Sequence, residues 1–210
     1  MDDFVKSVYA NEIKRQCEFA ESAINHLNYS LQQLHACDVD PNQRHFFYSE
    51  VFRNIHSFLT HASNVSRMFW LSTPTKKKNE SDEDYKARLL KLDKVARAEA
   101  LKREYSLKEN SVLKNRNLRD HLEHYEERLD HWRKNSKNRN IAPENIGSLS
   151  SIRPSPDALD NMRQFDPNRN IYMFHGEEYD LQSIATAISE ILSLGQNLEE
   201  KLRGRGSQST

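Results

Sequence analysis

Two long amphipathic segments constrain the fold of this chain more than any other feature of its sequence. Over about 3–36 and 42–70, apolar residues recur at steps of three and four, the spacing of one face of an α-helix. The first stripe consists of Phe4, Val8, Cys17, Ala20, Ile24, Leu27, Leu31 and Leu34. The second consists of Phe46, Val51, Ile55, Phe58, Leu59, Ala62, Val65 and Phe69. Pro41 and its turn-forming neighbours separate the two segments, so we expect two long helices that each bury a stripe.

The middle of the chain predicts two more helices. A charge-rich segment over about 82–104 has a thinner apolar stripe, and Ser81 with Asp84 resembles a helix N-cap. Ser111 is a reasonable cap for a fourth helix, which we expect to end near Asn135.

The last third of the chain starts irregular and ends helical. The proline-rich stretch 136–170 has almost no periodicity, and we interpret it as a long loop, a feature that is often functional. A hairpin over 171–181 with Gly176 in its turn precedes a last helix over about 182–202. The fold class expected from these elements is an all-α helical bundle of about five helices, with a short β-hairpin and a long loop before the last helix. We expect one domain over 1–203 and a disordered tail over 204–210.

The charge balance excludes a protein that holds long nucleic acid through a global basic field. The chain has 31 Lys and Arg residues against 31 Asp and Glu residues, so any nucleic-acid contact has to be local. No apolar run approaches the roughly 18 residues of a membrane span, and the acidic N-terminus lacks the apolar region of a signal peptide. Cys17 and Cys37 show neither metal-type spacing nor a disulfide pattern. We therefore expect a cytoplasmic protein that makes no membrane contact.

The fourth predicted helix carries an unusual row of polar residues beside its apolar stripe. At about 100° per residue, the core stripe consists of Leu118, Leu122, Tyr125, Leu129 and Trp132. The adjoining row consists of Asn117, His121, His124 and Arg128. Titratable groups that border a buried face are typical of a cleft or an interface.

This helix also contains a motif that resembles a known family. The overlapping stretches RNLRDH and RDHLEHY resemble the R-x(4–6)-H motif of HEPN domains, helical bundles of prokaryotic conflict systems. Two registers are open, Arg116–Asn117–His121 and Arg119–Asp120–His124, and the second matches the family pattern better. The resemblance implies a metal-independent endoribonuclease without a cofactor, active in phage defence or as a toxin. It also implies a homodimer in which two motifs form one cleft, with RNA as the substrate and an antitoxin protein as a possible partner.

The chemistry implied by the resemblance is attack of a ribose 2′-hydroxyl on the adjacent phosphate. His124 or His121 would transfer the proton, since imidazole titrates near neutral pH. Arg119 or Arg116 would hold the phosphate and stabilise its developing charge. Asp120 or Asn117 would fix the tautomer of the histidine.

Three other interpretations of the same residues remain open. A metal could bind His121 and His124, but the di-iron bundle pattern needs Glu three residues before each histidine, and Leu118 and His121 stand there. The row could equally be a buried polar network that braces the helix against a neighbour or a dimer partner. The chain could also be a non-catalytic bundle of the same shape that binds a nucleotide or a protein. On the second helix, we interpret His56 and His61 as structural histidines.

Overall fold

The computed structural model describes residues 1–36, 40–108, 110–115, 125–137, 139, 141–148 and 157–206. Within these ranges the chain forms six α-helices and one four-stranded sheet. The helices are α1 (Asp3–His35), α2 (Pro41–Phe69), α3 (Asp82–Leu90), α4 (Asp93–Glu104), α5 (Tyr125–Asn135) and α6 (Leu181–Gly206). The strands are β1 (Asn145–Ile146), β2 (Arg163–Asp166), β3 (Ile171–Phe174) and β4 (Glu177–Asp180). The prediction of a mostly helical chain is confirmed.

The long helices α1, α2 and α6 form the core. The side chain of Asp2 accepts a hydrogen bond from the amide of Val5 at 2.8 Å and caps α1. Asp40 caps α2 in the same way, and Pro41 occupies the first turn, where its missing N–H costs nothing. α1 packs along both α2 and α6. None of the described helices combines the length and the apolar character needed to cross a bilayer.

Three apolar residues of the predicted stripes lie outside the core. Phe4 and Val8 on α1 and Phe46 on α2 are all exposed, although we expected each to be buried. The buried positions of α1 are instead Ala10, Ile13, Cys17, Ala20, Ala23, Leu27 and Ser30. The first two turns of α1 and α2 therefore lie beyond the neighbouring elements that bury the later turns of each helix.

The third predicted helix is interrupted, which corrects the expectation of a continuous segment. α3 ends at Leu90, Lys91 forms its C-cap, and Leu92 adopts an extended backbone before α4 begins. No residue of α3 is buried, whereas α4 buries Val95, Ala98 and Leu101. Because of the break, α4 is rotated about its axis relative to a continuous helix. The residues that face the core are therefore Val95, Ala98 and Leu101 and not the predicted stripe. Ser81 caps α3 through the amide of Asp84 at 3.0 Å, as predicted.

The expected long loop and short hairpin are together part of a larger sheet. Strand order is β1-β2-β3-β4, with β1 parallel to β2 and the other pairs antiparallel. The hairpin of β3 and β4 turns at His175 and Gly176, which both have positive φ and match the tight turn favoured between two strands. β1 and β2 lie inside the stretch interpreted as a loop. They are too short and too polar to show an alternating pattern.

The fourth predicted helix is present in part. Ser111 caps a 3-10 turn, Val112–Lys114, rather than an α-helix. The helix is described from Tyr125 and ends at Asn135, which is the predicted end.

Candidate functional site

All six residues of the predicted catalytic motif lie outside the described part of the chain. These residues are Arg116, Asn117, Arg119, Asp120, His121 and His124. Both registers of the motif stay predictions, because neither pair has a described position. Tyr125, the residue that directly follows His124 in the sequence, is described at the start of α5. Tyr125 is therefore the described residue nearest to the motif histidine His124 in the chain.

Tyr125 lines a cleft between α2, the start of α5 and one face of the sheet. The cleft has a volume of about 280 Å³. Its walls are Ser49, Phe52, Arg53, His56, Tyr125, Glu144, Arg163, Tyr172 and Phe174. Cations, an imidazole, a carboxylate and aromatic rings thus share one depression, and that mixture is typical of a site that binds a polar ligand with flat parts.

Arg163 on β2 is the central cation of the cleft. Its guanidinium group lies over the ring of Tyr125, with 4.6 Å from its carbon to the ring centroid. One nitrogen of the same group donates a hydrogen bond to the carboxylate of Glu144 at 3.0 Å. Because a guanidinium has five N–H donors in a planar fork, these two contacts leave donors for an anion. Arg163 is also about one-third exposed, so such an anion can approach from solvent.

Glu144 is held in position from a second direction. The hydroxyl of Tyr48 donates a hydrogen bond to the backbone carbonyl of Glu144 at 3.0 Å. Burial and, less strongly, the charge of Glu144 raise the pKa of Tyr48. Glu144 therefore connects α2 to the edge of the sheet and sets the orientation of Arg163.

His56 is the titratable histidine of the cleft. Partial burial and, in second place, the positive charge of Arg163 lower the pKa of His56 below its ordinary value of 6.5. The neutral imidazole is therefore the main form at pH 7. A neutral imidazole beside a fixed cation is a suitable proton acceptor.

Aromatic rings form the remaining walls. Tyr125 packs against Phe174 of β3 with 5.8 Å between the ring centroids. Tyr172, from the same strand, is buried, and this burial raises the pKa of its hydroxyl. Phe52 on α2 contacts Tyr48 at a centroid distance of 5.6 Å. Phe52, Tyr172 and Phe174 are all buried, so they form the floor of the cleft, and Tyr125 is its half-buried ring.

Hydrogen bonds to Asp160 hold α5 against the segment that precedes β2. A side-chain oxygen of Asp160 accepts hydrogen bonds from the indole N–H of Trp132 at 2.9 Å and from the hydroxyl of Ser136. Asp160 is buried, so loss of either donor leaves it poorly satisfied. The His131 ring also contacts the ring of His175 in the hairpin turn, at 5.4 Å. α5 is therefore held at its last turns as well as at Tyr125.

His61, a further histidine of α2, has the structural environment expected from the sequence. A ring nitrogen of His61 lies 2.8 Å from the side-chain oxygen of Gln16 on α1, and the ring contacts Phe19. Asn64 donates to the same Gln16 oxygen at 3.1 Å. His61 therefore links α1 and α2. In the described part of the chain, no group of three or more histidine, cysteine or acidic residues is arranged to hold a metal ion.

Sequence reasoning missed the residues of the cleft other than Tyr125 and His56. Arg163 and Glu144 lie in the stretch interpreted as a loop, and its unusual length was the one available signal. His56 was interpreted as structural, because its approach to Arg163 depends on a strand that the sequence does not reveal. Tyr125 was expected in the core but is half-buried at the edge of the cleft.

Comparisons with known proteins add no relative: no family model, no curated protein and no solved structure matches this chain.

Proposed function

We propose that this protein is a metal-independent endoribonuclease of the HEPN type, and that the cleft around Arg163 binds the RNA strand next to the motif. The observation that carries the proposal is the position of Arg163 over Tyr125. Tyr125 follows the motif histidine His124 in the chain. A cation in contact with the residue next to the motif supports the proposal, because positive charge stabilises the negative charge that develops on a phosphate during cleavage.

The cleft would contribute binding and orientation. The donors of Arg163 that no described residue accepts suit a phosphate of the backbone, since a planar guanidinium matches phosphate oxygens in a two-point contact. Tyr125 is the half-buried aromatic ring of the cleft and is therefore the ring that an unpaired base would contact, whereas Phe52 and Phe174 are buried. The small volume of the cleft and the zero net charge of the chain favour one or two nucleotides in a loop over a long duplex.

The motif would contribute the chemistry. A histidine, His124 or His121, removes the proton of the 2′-hydroxyl, whose oxygen then attacks the adjacent phosphorus. The bond from phosphorus to the 5′-oxygen breaks, and that oxygen takes up a proton. The products are a 2′,3′-cyclic phosphate and a free 5′-hydroxyl. Arg119 or Arg116 stabilises the additional negative charge on the phosphate during this step.

The test is cleavage of RNA oligonucleotides by the purified full chain in EDTA. We expect products that end in a cyclic phosphate, detected by mass spectrometry. An oligonucleotide with 2′-O-methyl groups throughout should remain intact, because it lacks the attacking hydroxyl. The paired variants Arg119→Ala/His124→Ala and Arg116→Ala/His121→Ala then distinguish the two registers, since only one pair should abolish cleavage.

Arg163→Ala tests the contribution of the cleft. We expect a rise in KM of about tenfold, in line with the loss of one charged hydrogen bond of about 1.5 kcal/mol or more. Arg169→Ala is the matched control, because Arg169 pairs with Glu178 beside the β2–β3 turn and does not line the cleft. Absence of cleavage by a folded wild-type protein would contradict the proposed enzyme.

One observation favours the rival function, a non-catalytic module that binds a nucleotide. Both cations of the cleft already contact carboxylates: Arg163 pairs with Glu144, and Arg53 makes a two-point contact with Glu50. Because these carboxylates already offset much of the positive charge, less of it remains to stabilise the negative charge of a cleavage transition state, and this favours binding over catalysis. Calorimetry with mononucleotides separates the two functions, because the rival requires binding of an intact nucleotide and no strand cleavage.

A further inference from the structure

A second depression lies where the end of α1 meets the start of α2, and it shares no wall residue with the cleft at Arg163. This aromatic groove has a volume of about 540 Å³. Its walls are three aromatic rings and three side-chain amides, from Tyr29, Phe46, Phe47, Gln33, Asn42 and Gln43. Phe46 and Tyr29 are 57% and 52% exposed, and both rings contact Phe47. Exposed rings that cluster in this way indicate a binding surface, whereas single exposed apolar residues are ordinary.

The side-chain amides of the aromatic groove have no hydrogen-bond partner in the described part of the chain. The backbone N–H groups of Asn42 and Gln43 donate to the capping carboxylate of Asp40, but none of the three side-chain amides bonds to a described residue. A primary amide presents a donor beside an acceptor, which is the arrangement that pairs with the edge of adenine. Aromatic rings stack against the faces of bases. The aromatic groove therefore has groups for both the face and the edge of an unpaired base.

The charges around the aromatic groove do not repel a polyanion. In residues 24–36 and 40–49, Asp40 is the single acidic residue, and its carboxylate caps α2. The same segments hold one arginine and three histidines, all exposed, namely Arg44, His26, His35 and His45. The next acid along α2, Glu50, forms an ion pair with Arg53. Local groups of this kind suit the nucleic-acid contact that a chain of zero net charge can make.

The aromatic groove and the cleft at Arg163 are connected along one face of α2. Phe46 of the groove and Ser49 and Arg53 of the cleft fall within an arc of about 60° around the helix. The positions of Phe46 and Arg53 are about 10 Å apart along the helix axis, at about 1.5 Å per residue. Because a helical nucleic-acid strand advances about 3.4 Å per nucleotide, about three nucleotides span this distance.

We infer that the aromatic groove is a second binding site for the single-stranded RNA, and that it holds an unpaired adenine about three nucleotides from the phosphate at Arg163. This inference rests on the proposed function of the cleft. The adenine stacks on Phe46, and the amides of the groove hydrogen-bond to its edge. A strand that reaches both sites binds more tightly than one that reaches only the cleft, because the second contact forms within the same complex.

The experiment measures how affinity depends on the length of the strand. Calorimetric titration uses 2′-O-methyl oligoadenylates of two to eight nucleotides, which stay intact because they lack the attacking hydroxyl. For the wild type we expect affinity to rise about tenfold or more between three and five nucleotides, where the strand first spans both sites. Phe46→Ala should bind five nucleotides no more tightly than three. Phe46→Trp should keep the rise, because it keeps a stacking surface.

Phe4→Ala is the matched control, because Phe4 is an exposed phenylalanine at the opposite end of α1. This variant should keep the rise, and circular dichroism confirms that each variant is folded. Cleavage of unmodified RNA oligonucleotides tests the proposed ribonuclease separately. Cleavage by a wild type that shows no rise in affinity would overturn the second site alone, as would an equal rise in Phe46→Ala. A rise that Phe46→Ala loses, without any cleavage, would support the second site and contradict only the ribonuclease.

Discussion

Tyr105 has a buried hydroxyl at the point where α4 ends against α6. The residue is 1% exposed, and its hydroxyl has no hydrogen-bond partner among the described residues. Burial raises the pKa of this hydroxyl well above its usual value. A Cβ atom at Gly195 of α6 would lie 3.2 Å from the Tyr105 oxygen. Gly195 therefore leaves space for the Tyr105 hydroxyl, although this hydroxyl forms no hydrogen bond with a described residue.

We expect Tyr105→Phe to increase the free energy of unfolding by about 1 kcal/mol, because it removes a desolvated hydroxyl without loss of ring packing. Gly195→Ala alone should be near neutral, since its gain of about 1 kcal/mol in helix propensity is offset by the contact with Tyr105. In the Tyr105→Phe background the same change should stabilise. Urea unfolding of the four proteins gives the coupling. Additive effects would contradict this account.

Two of the three histidines of α2, His56 and His61, predict how stability depends on pH. Burial lowers the pKa of both His56 and His61 in the folded chain. A proton therefore binds the unfolded state more tightly, and the stability linked to each neutral ring is present above pH 6.5 and lost as the pH falls through the folded pKa. We expect the free energy of unfolding to fall between pH 7 and pH 5. The decrease should be smaller in His56→Gln and in His61→Gln, and an unchanged decrease in both variants would contradict the assignment.

At the scale of elements, the anchor of α5 is the most testable contact. Asp160 accepts hydrogen bonds from Trp132 and Ser136 and is itself buried. We expect Asp160→Ala to lower the free energy of unfolding by about 2 kcal/mol, because two hydrogen bonds are lost together. Asp130→Ala, on the exposed face of the same helix, should cost less than about 1 kcal/mol.

A double-mutant cycle isolates the contact between α5 and Asp160. Trp132→Phe removes the indole donor and keeps most of the ring. Because the two side chains share a hydrogen bond, the double variant Trp132→Phe/Asp160→Ala should be more stable than the sum of the single effects predicts. Strict additivity in the cycle would show that α5 is held by other contacts.

The sequence predicts those elements whose apolar pattern is long enough to recognise. α1, α2 and α6 repeat their apolar spacing over many turns, and α1 and α2 begin at capping residues, so their existence was readable. The hairpin was readable from the His175–Gly176 turn. The break at Leu92 could not be predicted from the sequence. It turns the apolar residues of α4 towards the core, and that direction depends on what α4 packs against. β1 pairs with β2, and β2 also pairs with β3, and the sequence of a single strand does not encode its partners.

At the scale of the whole molecule, one part of the candidate site could be predicted from the sequence and the other part could not. The motif from Arg116 to His124 is a local pattern and could be proposed from sequence alone. The cleft joins residues that are far apart in the chain, such as His56 on α2 and Arg163 on β2. Their proximity is a consequence of how the sheet packs against the helices. Phe4 and Val8 of α1 were wrongly predicted to be buried for a related reason. Helical spacing shows which residues share a face, but it does not show which turns another element covers.

Cys17 provides a probe for unfolding of the molecule as a whole. Its thiol lies at 0% exposure in the core of α1, where burial and, less strongly, Glu21 and Glu18 raise its pKa to about 12. Only the thiolate reacts with iodoacetamide. In the native state at pH 8, both access and ionisation therefore oppose reaction. We expect alkylation of Cys17 to be at least a thousandfold slower in the native protein than in urea.

If α1, α2 and α6 form one cooperative core, Cys17 becomes reactive only when that core unfolds. Brief alkylation along a urea series should then give the same midpoint as circular dichroism. Cleavage after glutamate isolates Cys17 in the peptide 13–18, apart from Cys37, so mass spectrometry can follow this one thiol. A midpoint well below that of circular dichroism would mean that α1 separates from the core before the remaining helices unfold.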